Sequence, residues 1–208
     1  MAKQVYPNVS TSVSKLGENI ATVNLPAKIT CNPEAPCVRD GGCYACKGRW
    51  MFENVKKSLL ENLRVYNENP EQFFNVIDIK LQLVPYRYFR WHSSGDIVDE
   101  RYLQGMVDLA KKHKNTKFLC FTKKFELVNN YLFKHKVPKN LVIVFSNWKD
   151  FQCDNPHNLP CTYVEFKKDN GYIPENAVVC NGSCEKCTLD GGGCWTLKKG
   201  QSVKFKKH

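Results

Sequence analysis

Eight of the eleven cysteines of this 208-residue chain lie in two short, glycine-containing segments near opposite ends of the sequence. The N-terminal cysteine loop, residues 31–46, has the spacing C-x5-C-x5-C-x2-C, and the C-terminal cysteine loop, residues 180–194, has the spacing C-x3-C-x2-C-x6-C. Thiolates are soft ligands for zinc and iron–sulfur clusters, and cysteines that only pack in a core do not normally cluster in this way. The pattern therefore predicts two metal centres. Their predicted ligands are Cys31, Cys37, Cys43, Cys46, Cys180, Cys184, Cys187 and Cys194.

The spacing in the N-terminal cysteine loop favours an iron–sulfur cluster over zinc. A zinc ribbon needs two C-x2-C knuckles, and only Cys43 and Cys46 form one here. Iron–sulfur clusters tolerate more varied spacing, and three cysteines holding a 4Fe-4S cluster leave the fourth iron open to bind a substrate or cofactor. The sequence leaves open which three cysteines these are. The four cysteines of the C-terminal cysteine loop suggest a closed, structural or electron-relaying cluster, for which zinc is the alternative.

Polar residues that could take part in chemistry follow the ends of three predicted strands. His92 and Asp96 lie beside a glycine turn, where an imidazole can bind a metal or move a proton. Lys123 lies at another strand end and is a candidate to bind a carboxylate or a phosphate as a point charge. Ser146 follows a third strand, from which its hydroxyl could contact a ribose. We therefore take the first three as candidate catalytic residues and Ser146 as a candidate cofactor-binding residue.

The elements that position these residues are strands alternating with helices, as the hydrophobic periodicity indicates. Strands are predicted within residues 20–30, 86–91, 117–122, 140–145, 161–166 and 178–179, and helices from residue 48 and within residues 71–84, 99–113 and 126–135. The crossovers are long enough for parallel pairing. In parallel α/β folds the active site forms at the C-terminal strand ends, where the polar residues fall. We predict an α/β fold, an incomplete (partial) β/α barrel with parallel strands and a cysteine-rich loop at each end of the chain; a doubly wound sheet is the alternative.

Composition divides the chain into three regions. Residues 1–18 form a predicted polar leader, residues 19–179 the partial-barrel domain with the N-terminal cysteine loop, and residues 180–208 the C-terminal cysteine cluster with a basic tail. The formal net charge of +11 predicts attraction to nucleic acid or another polyanion.

No apolar signal region begins the sequence, and no apolar run has the length that a membrane span needs. We therefore expect a cytoplasmic protein without a membrane partner. In that reducing compartment, clustered cysteines bind metal more often than they form disulfides.

The N-terminal cysteine loop resembles that of radical S-adenosylmethionine enzymes. Its last three cysteines form C-x5-C-x2-C, which is two residues longer than the commonest motif of those enzymes, C-x3-C-x2-C. Ser94-Gly95-Asp96 stands where those enzymes carry a glycine-and-acid motif for the methionine end of the cofactor, with Asp in place of the usual Glu. The resemblance implies a 4Fe-4S cluster, S-adenosylmethionine bound by Ser94, Gly95 and Asp96, and an electron donor such as a flavodoxin or ferredoxin.

Nearly the whole chain is also similar to a family of small phage and mobile-element proteins called gene product 88, which has no assigned function. The matching stretches are CYACKGRW, YRYFRWHSSGDIVDERY, FTKKFELVN and CWTLKKGQSVKFKKH. This resemblance implies Cys31, Cys37 and Cys43 as the ligands of the first centre. The radical-enzyme pattern implies Cys37, Cys43 and Cys46, so two ligand trios stay open.

Two functions fit these patterns. The first is an iron–sulfur enzyme of the radical S-adenosylmethionine type, with an open-site 4Fe-4S cluster and a second, auxiliary cluster. The second is a nucleic-acid-binding protein stapled by zinc or iron–sulfur, without catalysis, which relies on its net charge of +11. The metal content separates the two hypotheses, because thiolate-bound iron colours a protein and zinc does not.

Overall fold

An eight-stranded, mostly parallel sheet forms the centre of the fold in the computed structural model, which describes residues 6–11, 16–17, 19–166 and 171–206. Its strands are β1 (Val9–Ser10), β2 (Ile20–Val23), β3 (Tyr88–Trp91), β4 (Lys117–Thr122), β5 (Leu141–Asn147), β6 (Cys161–Glu165), β7 (Val178–Val179) and β8 (Ser202–Lys206). The order across the sheet is β1-β2-β3-β4-β5-β6-β8-β7. From β2 to β6 this spatial order follows the chain, and every consecutive pair is parallel.

Helices fill most of the connections between these strands. They are α1 (Pro36–Arg39), α2 (Glu53–Glu68), α3 (Pro70–Leu83), α4 (Glu100–Lys112), α5 (Phe125–Lys134) and α6 (Cys184–Leu189). Local sequence sets where two of them begin. Asn69 caps α3 by accepting a hydrogen bond from the Gln72 N–H at 2.9 Å, ahead of a proline in the first turn. Asp99 caps α4 in the same way, at 2.7 Å from the Tyr102 N–H.

Different parts of the chain cover the two faces of the sheet. Helices α2 to α5 pack on one face, where side chains such as Phe73 and Leu103 meet Phe118 of β4. Side chains alternate between the faces along a strand, so Leu119 points into a second apolar cluster on the opposite face. Trp195 belongs to this second cluster, together with partly buried cysteines of the C-terminal cysteine loop. That loop therefore lies on the face opposite the helices.

The mixed α/β architecture and the parallel pairing predicted from the sequence are confirmed. The strands at 117–122 and 178–179 have the predicted bounds, and α4 and α5 differ from their predicted spans by one residue at each end. The predicted strand within 20–30 is shorter: the strand ends at Val23, and the chain turns at residues 27–29, where the Thr30 N–H donates to the Pro26 carbonyl at 3.3 Å.

Two segments outside the predicted barrel domain also join the sheet. Val9–Ser10, from the predicted leader, pairs with β2, and Ser202–Lys206, from the predicted tail, pairs with β6 and β7. Residues 1–5, 12–15 and 18 of the leader lie outside the described part of the chain. Of the helices described, none combines the length and the apolar character needed to cross a bilayer.

Candidate functional site

The loops after β2 and β3 are tied together by hydrogen bonds at the C-terminal edge of the parallel strands. The Asn24 side-chain oxygen accepts from the backbone N–H groups of Ser93 and Ser94, at 2.7 and 3.1 Å. Leu25 and Ser94 exchange further bonds, from the Leu25 N–H to the Ser94 carbonyl and from the Ser94 hydroxyl to the Leu25 carbonyl, both 2.9 Å. The Ser94 hydroxyl is thus engaged by the neighbouring loop.

Gly95 is required by the close approach of these two loops. Its φ is +84°, in the left-handed region, and a Cβ placed there would be 2.7 Å from the Leu25 carbonyl and 2.8 Å from the Thr30 hydroxyl. Only a residue without a side chain fits this position. The resemblance to radical S-adenosylmethionine enzymes implied that Gly95 contacts the cofactor; in the structure, the segment that approaches Gly95 is residues 25–30, which lead into the N-terminal cysteine loop.

Asp96 is a buried carboxylate that braces the ends of β3 and β4. Its Oδ1 accepts from the Thr122 hydroxyl at 2.6 Å and from the Ile97 N–H at 2.8 Å, and its Oδ2 accepts from the Lys123 N–H at 2.9 Å. Its own N–H donates to the Thr30 hydroxyl at 3.0 Å. Burial raises the pKa of this carboxyl, although the same hydrogen bonds act in the opposite direction.

Lys123 and Ser146, predicted from separate strands, meet at this edge. The Lys123 ammonium donates to the Ser146 hydroxyl at 2.8 Å. The Lys123 carbonyl accepts from the side chain of Asn32, next to Cys31, at 3.1 Å. The structure therefore brings Asp96, Lys123 and Ser146 together beside the N-terminal cysteine loop, because the C-terminal ends of parallel strands share one edge.

His92 is placed differently from this group. Its φ is +57°, and its buried ring packs between Trp91 and Tyr102, with Nε2 3.0 Å from the Tyr102 hydroxyl. Its Nδ1 lies 3.8 Å from the sulfur of Cys120, on the helix-facing side of the sheet. Burial, and secondarily the charge of Arg90, lowers the pKa of His92 to about 3, so the ring is neutral near pH 7.

The thiols of the N-terminal cysteine loop lie close enough to one another to interact electrostatically. Cys31 interacts with Cys37, Cys43 and Asp96, and Cys43 interacts with Cys37 and Cys46. Burial raises the pKa of Cys31 to about 12 and that of Cys43 to about 11. Between these cysteines, the Tyr44 hydroxyl donates a short hydrogen bond to the Ser93 carbonyl, which joins the loop to the edge after β3.

The C-terminal cysteine loop is held on the sheet by Trp195. The indole N–H donates to the Phe89 carbonyl at 3.1 Å, and the ring packs edge-on against Tyr88 at 5.4 Å between centroids. Cys194 interacts electrostatically with the loop's other three cysteines, and burial raises its pKa to about 12. Gly193 allows the close packing, because a Cβ there would be 2.6 Å from the Cys187 Cβ.

Arg90 lies between the two cysteine loops, and the sequence analysis did not select it. Arg90 is 7% exposed, its guanidinium carbon lies 4.7 Å from the centroid of the Phe121 ring, and its Nη1 is 3.7 Å from the Cys184 sulfur. Its charge also acts on Tyr44 of the N-terminal cysteine loop. Among the described residues it forms no salt bridge, and its Nε has no hydrogen-bond partner. A charged residue inside the aromatic run YRYFRW was the available signal.

The described residues contain no group of three or more histidine, cysteine, aspartate or glutamate side chains arranged to hold a metal ion. Each cysteine loop nevertheless gathers four thiols, which is the donor chemistry of an iron–sulfur or zinc site. A groove of about 430 Å³ lies elsewhere, between α3 and α4, and is lined by residues such as Asp78 and Gln104 rather than by the predicted site residues.

A comparison with protein families identifies a match. A family model described as gene product 88 matches residues 3–158, which include the N-terminal cysteine loop and the strand-edge residues after β3, β4 and β5. The matched range ends before the C-terminal cysteine loop. No curated protein and no solved structure matches the chain.

Proposed function

We propose that this chain, which belongs to the gene product 88 family, is an iron–sulfur protein and an enzyme of the radical S-adenosylmethionine type. In this proposal the N-terminal cysteine loop holds an open-site 4Fe-4S cluster, and the C-terminal cysteine loop holds a second, auxiliary cluster. The sheet is an incomplete β/α barrel. Its support is the sequential strand order from β2 to β6, with α2 to α5 on one face only.

The observation that carries the proposal is the buried Arg90 guanidinium beside the C-terminal thiols. An unpaired buried charge costs several kcal/mol, by order of magnitude, and no carboxylate pairs with Arg90 among the described residues. Protonated thiols would not offset this charge. Thiolates bound to iron carry net negative charge, and the Cys184 sulfur lies 3.7 Å from the Arg90 Nη1, in position to accept from it. Arg90 thus favours a negatively charged group at this loop.

The N-terminal cysteine loop would hold its cluster through three of its four cysteines, either Cys31, Cys37 and Cys43 or the last three. Burial holds Cys31 and Cys43 as thiols in the absence of metal, so cluster binding to either thiol would release its proton. A cluster bound there would supply single electrons, which a flavodoxin or ferredoxin would deliver.

The strand-edge residues would hold S-adenosylmethionine, which supplies a reactive sulfonium when it is bound. Asp96 Oδ2 accepts one hydrogen bond in the structure and retains capacity to accept another from an ammonium group. The Lys123 ammonium donates to Ser146 and has further N–H donors for a carboxylate. Burial of this edge would strengthen both contacts, because water is excluded. His92, which lies in the helix-facing core, would act by fixing Tyr102 rather than by touching the cofactor.

Anaerobic purification followed by iron, sulfide and zinc analysis tests the proposal. We expect a brown protein with a broad absorption band at about 400 nm, as thiolate-to-iron charge transfer requires. Replacing Cys37 or Cys43 with alanine should remove the iron of the first centre and leave that of the second. A colourless protein that contains only zinc would contradict the iron–sulfur assignment.

The second candidate function is a metal-stapled nucleic-acid-binding protein without catalysis, with zinc or iron–sulfur in the cysteine loops. The net charge of +11 favours it. Its test is binding of a nucleic-acid duplex over a series of salt concentrations. We expect the logarithm of the binding constant to fall linearly with the logarithm of salt if phosphates are neutralised. Absence of binding at low salt would remove this candidate.

A further inference from the structure

Two cysteines outside both cysteine loops form a close pair at the start of β6. The sulfur atoms of Cys153 and Cys161 are 3.8 Å apart, although eight positions separate the residues in sequence. Cys161 is buried and begins β6, whereas Cys153 is partly exposed in the loop before it. A disulfide needs the sulfurs at about 2.05 Å, so the two sulfur atoms would have to approach each other by less than about 2 Å to form the bond.

The loop between the two cysteines is built to hold this arrangement. The Asn155 side chain accepts from the Leu159 N–H and donates to the Leu159 carbonyl, both at 2.8 Å. These two bonds fix which end of the amide is the donor. The Asn155 nitrogen therefore faces Cys161, with its donor 3.4 Å from the sulfur. The Cys153 N–H is anchored in turn on the Asn147 side chain, at 2.7 Å.

The environment of the Cys161 sulfur favours a thiolate. Hydrogen bonds from Cys153, first, and also from Tyr163 and Asn155 lower the pKa of Cys161 to about 7, against the effect of burial. The hydrogen bond to Cys161, together with burial, raises the pKa of Cys153, so near neutral pH the proton of the pair lies on Cys153. When that proton is on Cys161, the thiol can donate to the Leu159 carbonyl, 3.6 Å away.

We propose that Cys153 and Cys161 form a thiol–disulfide exchange site whose substrate is a low-molecular-weight disulfide of the glutathione type. The site is independent of any cluster in the cysteine loops. The more exposed Cys153 is the sulfur that such a substrate can reach, and Cys161 is the resolving cysteine.

The exchange proceeds in two balanced steps. In the first, the Cys161 thiolate takes the proton of Cys153 as the Cys153 sulfur attacks the disulfide RSSR, which forms the mixed disulfide Cys153–S–SR and releases RS⁻. The released thiolate takes the proton of Cys161. In the second, the Cys161 thiolate attacks the Cys153 sulfur, which forms the Cys153–Cys161 disulfide and expels the second RS⁻. The pair is oxidised by two electrons, and one RSSR is reduced to RSH and RS⁻.

Peptide mapping of the full-length protein tests this site without interference from the other cysteines. The chain is incubated anaerobically in a series of glutathione and glutathione disulfide mixtures, quenched with acid, alkylated and cleaved before aspartate. Cleavage before Asp154 separates Cys153 from Cys161, so a bridge appears as two linked peptides. We expect the linked pair to increase with the fraction of glutathione disulfide, while Cys120, a lone buried thiol, stays reduced.

Variants then assign the roles of the two sulfurs. Cys161→Ser should trap a glutathione adduct on Cys153, and Cys153→Ser should leave Cys161 unmodified. Asn155→Asp keeps the acceptor for Leu159 but places a negative charge at the sulfur, and it should slow the exchange by about tenfold or more. The proposal is overturned if the wild-type pair stays fully alkylatable across the series. It is also overturned if Cys153 carries only a stable glutathione adduct, or if the adduct forms on Cys161 in Cys153→Ser.

Discussion

The N-terminal cysteine loop contacts the polar ends of the strands, whereas the C-terminal cysteine loop lies on an apolar face of the same sheet. The first is joined to its surroundings by hydrogen bonds: the Asp96 N–H donates to the Thr30 hydroxyl just before the loop, and the Asn32 side chain donates to the Lys123 carbonyl. The second is joined by the burial of Trp195, which is 3% exposed, and by Arg90. The two cysteine loops thus offer the same kind of metal ligand, the cysteine thiol, but lie among different neighbouring residues.

This difference separates two roles that the cysteine pattern alone did not separate. A ligand that binds at the strand edge meets a carboxylate, an ammonium and hydroxyl groups that are already oriented by neighbouring backbone. A group bound at the C-terminal loop meets aromatic rings and one guanidinium. We therefore expect changes at the second loop to affect folding and metal retention, and changes at the first to affect ligand binding.

The largest expected effect is loss of stability when the C-terminal loop loses its aromatic anchor. Trp195→Ala removes a buried indole and its hydrogen bond to β3, and we expect the free energy of unfolding to fall by about 3–5 kcal/mol. Trp50→Ala, at the partly exposed tryptophan that follows the N-terminal cysteine loop, is the matched control and should cost much less. Chemical denaturation of the three proteins measures both values. Equal losses would remove the distinction between the loops.

Arg90→Met tests whether the C-terminal loop carries negative charge. If metal-bound thiolates are the partner of the guanidinium, the variant should bind metal at this loop about 10–100-fold more weakly, the usual effect of removing an outer partner of a metal site. Metal content of the N-terminal loop should change little. Competition with a chelator, in the background of Cys37→Ala, isolates the second site.

The same variant gives the opposite result if the C-terminal loop binds nothing charged. Removal of an unpaired buried guanidinium would then raise the free energy of unfolding, because a desolvated charge is replaced by an apolar side chain of similar length. A more stable Arg90→Met protein with unchanged metal content would contradict the pairing of Arg90 with metal-bound thiolates.

A smaller effect is expected at the strand edge for Asp96→Asn. The amide keeps one oxygen for Thr122 and Ile97 but turns an N–H group toward the Lys123 N–H, and an unsatisfied buried donor costs about 1–3 kcal/mol. Affinity for S-adenosylmethionine, measured by calorimetry on the reconstituted protein, should fall while iron content is unchanged. Asp190→Asn, an exposed position in the C-terminal cysteine loop, is the control. Equal affinity in Asp96→Asn and wild type would contradict the assignment of Asp96 as a residue that binds S-adenosylmethionine.

Local signals in the sequence predicted the elements well but not all of their partners. The cap at Asn69 and the alternation in 117–122 are local, so α3 and β4 appear where they were expected. Lys123 and Ser146 were predicted separately, each at a strand end; because parallel strands end at one edge, the structure brings them together, but their hydrogen bond was not predicted.

What the sequence left out depends on contacts between distant residues. From the sequence alone, Arg90 is indistinguishable from an ordinary strand residue. In the fold, the sulfur of Cys184, 94 positions away in the C-terminal cysteine loop, lies beside it. Residues 202–206 were predicted to belong to the basic tail because their lysines obscure the pattern of a strand. In the structure they form β8, which pairs with both β6 and β7. The orientation of His92 into the helix-facing core follows from its left-handed φ, which is unusual for a residue other than glycine.

The smallest effect is expected for Lys123→Gln, and it separates ligand binding at the strand edge from its architecture. The side chain loses its hydrogen bond to Ser146, worth about 0.5–1.5 kcal/mol, while the backbone N–H to Asp96 and the carbonyl to Asn32 are retained. The fold of the edge should therefore persist. If Lys123 binds a carboxylate of the cofactor, the loss of its charge should weaken that affinity by more than the loss in stability. Lys124→Gln, the neighbouring lysine, is the control and should leave both unchanged. A loss of stability in Lys123→Gln without any change in affinity would show that Lys123 stabilises the strand ends, as Asp96 does. It would contradict the assignment of Lys123 as the residue that binds the carboxylate of the cofactor.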